Sequence, residues 1–330
     1  MRLVHLHLHR RRTGVTRHVE DVVRALSQGG ARAWGWALGS DVPQAQFLDV
    51  WRWARSGGLI LHAHRNLELL LALVLRGVGR GVRVAWTRHG TGRPSGWTRW
   101  LARQADVRVC LSEEGARELG LASIVVPHGV DVLVFHPPAS RAAAWAALGV
   151  GGERGVAVVG RIRPAKGQEE AMVALGRTLP AAPAWRGVLV GEARGRDKAW
   201  LASLLPQAAG RVTAVGPQPD VNRWYQGVTV LLQPSHAESF SMVLAEAMAS
   251  GCCVVAARLP HYQALLEEGR TGFTYPVGDA PALAEVLAKL LAEPETAARV
   301  GQAAAESART RFPLEREVAV LEQLYRGAPE

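Results

Sequence analysis

The sequence predicts an α/β protein of two parallel-sheet domains, and three observations carry that prediction. Short apolar runs alternate with longer amphipathic stretches along almost the whole chain, the order expected of parallel strands joined by crossover helices. The alternation pauses once, at the polar, proline-bearing link Val134–Ser140. With 330 residues, 48% hydrophobic and 21% charged, the chain is long enough to build two cores of ordinary size.

The first series of strands is Leu3–Leu8, Ala33–Leu38, Leu59–His62, Val82–Thr87, Val107–Leu111 and Ile124–Val126, with helices at Val15–Leu26 and Asn66–Leu75. The second is Val156–Val159, Gly187–Val190, Val212–Val215, Val228–Leu232, Cys253–Ala256 and Gly272–Tyr275, closing in long helices from about Pro281. Domain limits of 1–138 and 139–313 follow, and the amphipathic segment 314–330 is expected to pack back on the first domain. Two such sheets facing across a cleft would bind ligand at their carboxyl edges, where strands hand over to helices.

Composition narrows the function. No apolar run is long enough to span a bilayer, and Met1–His9 alternates like a strand instead of forming a signal-peptide core. A cytoplasmic protein is expected, at most held peripherally against the anionic inner face of a membrane. Cys110, Cys252 and Cys253 are spaced for neither a disulfide framework nor a metal site and read as buried small hydrophobes. The net charge of +10 is almost all arginine, since only Lys166, Lys198 and Lys289 are lysine. A basic surface attracts phosphate-bearing ligands or anionic lipid. No nucleic-acid module with interleaved aromatics is present, so a nucleic-acid partner is not expected.

Two segments are suited to chemistry. Gly160–Gly167 follows the strand Val156–Val159 and carries Arg161 and Lys166 ahead of a helix starting near Gln168. Glycine permits close approach, helix N–H groups accept an anion, and two cations neutralise phosphate oxygens. Taken alone, such a loop is more often an ordinary βα connection with solvated charges. Pro234–Gly251 follows Val228–Leu232 and places Glu238 at or just before a helix start, with Glu246 about two turns along. Ser239 and Ser241 suit the helix start and Gly251 its stop, while Phe240, Val243, Leu244, Ala247 and Met248 supply the buried face. Either glutamate alone reads as a cap or a surface charge.

Together the segments resemble the retaining glycosyltransferases of family 4, which have the GT-B fold of two Rossmann-like domains. Gly160-Arg-Ile-Arg-Pro-Ala-Lys-Gly167 matches that family's Gly-Arg-x4-Lys-Gly turn. Pro234-Ser-His-Ala-Glu-Ser-Phe, followed by Glu246-Ala-Met-Ala-Ser-Gly251, matches its Glu-x7-Glu signature, in the right order and about 70 residues on. Val254-Val-Ala and Gly269-Arg-Thr-Gly-Phe273 match as well. The resemblance implies a nucleotide-sugar donor site: Arg161 and Lys166 on the diphosphate, with Gly160 beside them. Glu238 would meet the transferred sugar, Glu246 the ribose, and Val215 and Gly216 the base. Backbone N–H groups from Ser239 through Phe240, Ser241 and Met242 to Val243 would face phosphate. The usual residue after the first glutamate, Gly or Pro, is Ser239 here.

The amino-terminal half departs further. Its first loop has only Gly14 where the family often has a Gly-Gly pair, and Gly14 would approach donor phosphate or acceptor. Thr87-Arg-His-Gly90 resembles the family's His-Asp or His-Gly turn, which implies that His89 sits near the sugar. Val126-Pro-His-Gly-Val-Asp131 with Phe135 resembles the stretch leading into the second domain. The run His9–Thr16 with His64-Arg-Asn66 is similar to lipopolysaccharide-core mannosyltransferases and favours mannose as the sugar, from a GDP-linked donor ahead of UDP-linked ones.

The resemblance therefore implies a retaining hexosyl transfer to a hydroxyl of a saccharide or lipid-linked acceptor, without cofactor or metal; no Asp-x-Asp pair exists in the chain. The rival readings are a GT-B nucleotide-sugar epimerase, a non-catalytic sugar-nucleotide-binding protein, and a metal-dependent hydrolase using the alternating His5, His7 and His9. Against the last, those histidines read as a half-exposed strand face, and no convincing partner set is visible at later strand ends.

Overall fold

A computed structural model of the chain describes residues 2–10, 13–35 and 38–327. The chain divides into two compact units, Met1–Gly129 with Leu314–Glu330, and Val130–Pro313.

In the first unit β1 (Arg2–His7), β2 (Ala31–Gly35), β3 (Leu59–Ala63), β4 (Arg83–Arg88), β5 (Val107–Cys110) and β6 (Ile124–Val125) form one parallel sheet in the order β2-β1-β3-β4-β5-β6. Alternation along each strand divides the core between two faces. Val4, Leu6, Leu61, Val84 and Trp86 pack on one side with Leu69, Ala72 and Leu101, which lie on the helices Asn66–Val78 and Gly96–Gln104. Leu3, Ile60, Ala85 and Val109 pack on the other with Val22, Leu26, Leu321, Leu324 and Tyr325. That second face is covered by the helices Gly14–Ala25 and Leu314–Arg326, so the last helix of the chain completes the first sheet.

In the second unit β7 (Arg154–Val159), β8 (Trp185–Val190), β9 (Val212–Gly216), β10 (Val230–Gln233), β11 (Cys253–Ala257) and β12 (Phe273–Tyr275) run in the order β12-β11-β10-β7-β8-β9, again all parallel. β10 and β11 are buried on both faces, which is why they read as unbroken apolar runs.

Several expectations need correction. The division falls after Gly129, not at 138, because Val130 N–H donates to Phe312 O at 2.8 Å and the Phe135 ring packs on Tyr225, both second-unit residues. β2 begins at Ala31 and ends at Gly35, pairing with Leu3–His7, so Leu38 is outside it; Trp36 and Ala37 lie outside the described residues. The helix after Ser239 begins only at Met242. Helices at Phe47–Ser56 and Glu113–Leu119 add to the elements expected from sequence, the first burying Val50 and Ala54 on a stripe that also carries Phe47 and Trp51. Cys110, Cys252 and Cys253 are buried free thiols, pushed up in pKa by burial. Among the described residues no helix is long and apolar enough to cross a membrane.

Candidate active site

In the second unit the motif residues meet because two loops cross. Gly160–Gly167 leaves β7, makes a single 3₁₀ turn at Pro164–Lys166 and enters the helix Gln168–Thr178. Gly167 has φ +67°, and a Cβ there would lie 1.9 Å from the Pro234 carbonyl oxygen. Only glycine permits that approach. The loop after β7 thus lies against the loop after β10, and the Lys166 ammonium forms an ion pair with Glu238. Ser235 Oγ donates to the same carboxylate oxygen at 3.2 Å. Gln233 Nε2 in turn donates to Ser235 Oγ at 3.0 Å and to Tyr262 OH at 3.1 Å, so a buried polar row at the end of β10 orients Glu238.

The helix Met242–Ala249 follows directly. Ser241 caps it, its Oγ accepting the Leu244 N–H at 3.2 Å. The remaining first-turn amides fall outside the helix's own ladder, at its positive end. Glu246 is buried, and its Oε2 accepts the Tyr225 hydroxyl at 2.9 Å. The expected buried face is corrected here. Val243 is half-buried, while Glu246 is buried with its carboxylate against Tyr225 of the helix Asn222–Gly227.

Arg161 projects into solvent, with its carbonyl oxygen accepting Gln168 Nε2 at 3.0 Å. Val215 and Gly216 end β9; Gly216 O accepts the Gly191 N–H at 2.9 Å and Gln218 Nε2 donates to Val215 O at 2.8 Å. Gly160, Ser239, Phe240 and Ser241 lie along the same two loops. Tyr225 and Gln233 stand out by no sequence signal, and Ser235 lies in the motif without a role of its own. Their roles depend on which strand end lies beside which, and no local pattern signals that.

Gly14 and His89 belong to the first unit. Gly14 opens the helix Gly14–Ala25, and a Cβ on it would meet nothing within 4 Å, so the space beside it is open. Arg11 and Arg12 lie outside the described residues. His89 is half-buried and lines a cavity of about 640 Å³ with His64, Arg65, Asn66 and Trp86.

The histidines of this unit also require a correction. His5 and His7 are not half-exposed: the helices Gly14–Ala25 and Leu314–Arg326 cover their face and both are fully buried. The β1–β3 register sets His5 opposite His62, and partners do gather. His5 Nδ1 lies 3.1 Å from His64 Nε2, His64 Nδ1 3.1 Å from His89 Nε2, and His89 Nδ1 3.3 Å from His128 Nε2. His128 Nδ1 lies 3.2 Å and His18 Nε2 2.9 Å from Glu317 Oε1. His62 contacts Tyr325 OH at 2.5 Å and Thr87 Oγ1 at 2.7 Å. Burial first, then neighbouring imidazoles, lowers the pKa of His5, His64 and His89 well below 6.5. Burial takes His62 down to about 3 and His128 to about 4. Burial opposes ionisation of Glu317, but His18 and His128 hold it below the usual carboxylate range. Two triplets, His5/His62/His64 and His18/His128/Glu317, stand within metal-ligand reach; hydrogen bonds already engage the ring nitrogens just named.

Known proteins match this architecture closely. A family model for glycosyl transferases group 1 matches residues 153–293. The chain is 31% identical over 328 residues to the lipopolysaccharide core biosynthesis mannosyltransferase LpcC of Rhizobium leguminosarum bv. viciae, covering 96% of this chain and 93% of that protein. It is 30% identical over 335 residues to the corresponding LpsB of Rhizobium meliloti (strain 1021), covering 96% and 94%. The crystal structure of Anabaena Alr3699/HepE in complex with UDP superposes with a TM-score of 0.86 at 20% identity, over 99% of this chain and 100% of that one. Paired parallel six-stranded sheets of this topology are those of the GT-B glycosyltransferases. The chain belongs to the group 1 glycosyl transferases.

Proposed function

We propose that the protein is a retaining mannosyltransferase that moves mannose from GDP-mannose to a hydroxyl of a lipopolysaccharide-core or other lipid-linked saccharide acceptor. One observation carries the donor site: Lys166 and Glu238 are held together at a glycine-enforced loop crossing, immediately before a capped helix start. Lys166, Arg161 and the helix amino terminus bind the diphosphate. Glu238 accepts hydrogen bonds from sugar hydroxyls and Glu246 from the ribose, while Val215 and Gly216 flank the base. His89 and Gly14 serve the transferred sugar and acceptor from the first unit. The choice of mannose rests on the two rhizobial relatives, both named as mannosyltransferases.

In the reaction the bond from the anomeric carbon to the β-phosphate oxygen breaks and a bond to the acceptor oxygen forms on the same face. The acceptor's proton passes to the departing phosphate. Negative charge grows on that phosphate, where fixed cations and helix amides stabilise it without a metal or other cofactor. The protein works at an anionic membrane surface, an assignment supported by the exposed, stacked Trp97 and Trp100, 5.1 Å apart, because amphipathic aromatics favour the headgroup region.

Calorimetry with GDP-, UDP- and ADP-sugars, followed by transfer assays with the tightest binder, tests the reading. GDP-mannose is expected to bind best; binding of no nucleotide sugar would overturn the enzyme assignment, and preference for a UDP-sugar would overturn the donor.

A further inference from the structure

Five histidines of the first unit, with Tyr325 and Thr87, form one continuous hydrogen-bonded row, and a carboxylate stands at one end. A carboxylate held ionised can only accept, and a neutral imidazole has one donor and one acceptor nitrogen. The direction of every bond therefore follows from Glu317. His128 Nδ1–H donates to Glu317 Oε1, so His128 Nε2 accepts from His89 Nδ1–H. His89 Nε2 then accepts from His64 Nδ1–H, and His64 Nε2 from His5 Nδ1–H. His5 Nε2 accepts from the Tyr325 hydroxyl at 3.4 Å, which accepts from His62 Nδ1–H, while His62 Nε2 accepts from Thr87 Oγ1–H. All ten ring nitrogens are used and no ring carries a charge. A row of buried imidazoles is tolerable on those terms, because an unpaired nitrogen would cost a full desolvation penalty.

We propose that Glu317 is a positioning residue for His89: acting through His128, it fixes the His89 ring as the Nδ1–H tautomer, with Nε2 as the hydrogen-bond acceptor beside the first-unit cavity. The proposal rests on the reading above that His89 serves the transferred sugar. It adds a specificity: Nε2 offers an acceptor to a sugar hydroxyl, once His64 yields, and neither a donor nor a cation to a phosphate.

The second carboxylate oxygen supplies the test. Glu317 Oε2 accepts the Gly129 backbone N–H at 2.6 Å, and that amide can only donate. In Glu317→Gln the amide oxygen must therefore face Gly129, which turns its NH₂ toward His128 Nδ1 and His18 Nε2. Those nitrogens become acceptors, and each ring of the row reverses to Nε2–H, ending with His62 donating to Thr87.

Long-range ¹H–¹⁵N spectra of the full chain labelled in histidine, at pH 8, read each tautomer directly. Assignment uses single histidine-to-glutamine variants. Wild-type His89 is expected as Nδ1–H and the His89 of E317Q as Nε2–H. The same tautomer in both proteins overturns the proposal. So does a wild-type His89 that is Nε2–H or doubly protonated, a result that needs no variant to fold. Stoichiometric cobalt(II) binding that bleaches the His64 and His128 signals also overturns it, since those nitrogens would then be ligands. The readout needs no turnover, so loss of the mannosyl-transfer reading and loss of this one are separate results.

Discussion

Lowering the pH from 8 to 5 should unfold the first unit well before the second. His62 and His128 are buried, neutral in the folded state, and titrate there at about 3 and about 4. Unfolded, each returns to about 6.5. Their folded values are depressed, so the unfolded chain binds more protons below pH 6.5 and stability falls as the pH drops through that value. At pH 5 the loss is about 1.5 pH units at 1.36 kcal/mol each, or about 2 kcal/mol per histidine. The two together remove about 4 kcal/mol, a large share of the roughly 5–15 kcal/mol that holds a domain. His5, His7, His64 and His89 act in the same direction. In the second unit only His261 is comparably lowered, by burial, to about 4. Hydrogen exchange read by mass spectrometry at pH 8 and 5, corrected for intrinsic rates, distinguishes the units. Peptides of β1, β3 and β4 should lose protection while β10 and β11 keep most of theirs. Equal protection of β1, β3 and β4 at the two pH values would refute the neutral-row account.

The second unit yields sharper substitutions. Lys166→Ala and Glu238→Ala should each lower mannosyl transfer at least tenfold, about 1.4 kcal/mol of barrier, with circular dichroism unchanged; wild-type rates in both would remove these residues from the site. Gly167→Ala must strain a backbone at φ +67° and push against Pro234 O, and a loss of at least about 2 kcal/mol in urea unfolding of the second unit is expected. Tyr225→Phe leaves the buried Glu246 Oε2 without its 2.9 Å donor; about 1–3 kcal/mol of stability should go, together with a weaker nucleotide Kd. Trp97→Ala with Trp100→Ala should reduce sedimentation with anionic vesicles several-fold, and unchanged sedimentation would discard the membrane assignment.

The second unit was the more legible in sequence because its signals are local. Gly167 must be glycine where it stands, Ser241 caps the helix that follows it, and β10 and β11 are apolar because both of their faces are buried. Even so, the sequence could not show that Gly167 lies under Pro234, the contact that puts Lys166 on Glu238. The first unit hid more. His5, His7 and His9 alternate as a strand should, yet alternation reports only that they share a face and says nothing of what covers it. Part of the cover is the adjacent helix Gly14–Ala25, but over His5 it is the helix Leu314–Arg326, about 300 residues distant, whose amphipathic pattern names no partner.

That late helix explains why a polar row can occupy a core. Leu321 and Leu324 anchor it on the sheet beside Leu3 and Ile60, and the same turns deliver Tyr325 to His62 and Glu317 to His128 and His18. Apolar contacts supply the attraction, while the carboxylate supplies the direction of the hydrogen bonds. An apolar substitute for His5 would take the partner from His64 Nε2, and one for His62 would take it from the Tyr325 and Thr87 hydroxyls, so the row resists piecemeal replacement. The group that orders the row must itself be ionised and buried, and Glu317 meets both conditions through the His18 and His128 imidazoles and the Gly129 amide. A helix that carries the only carboxylate of the row is therefore as much a part of the first unit's chemistry as β1, with which the chain begins.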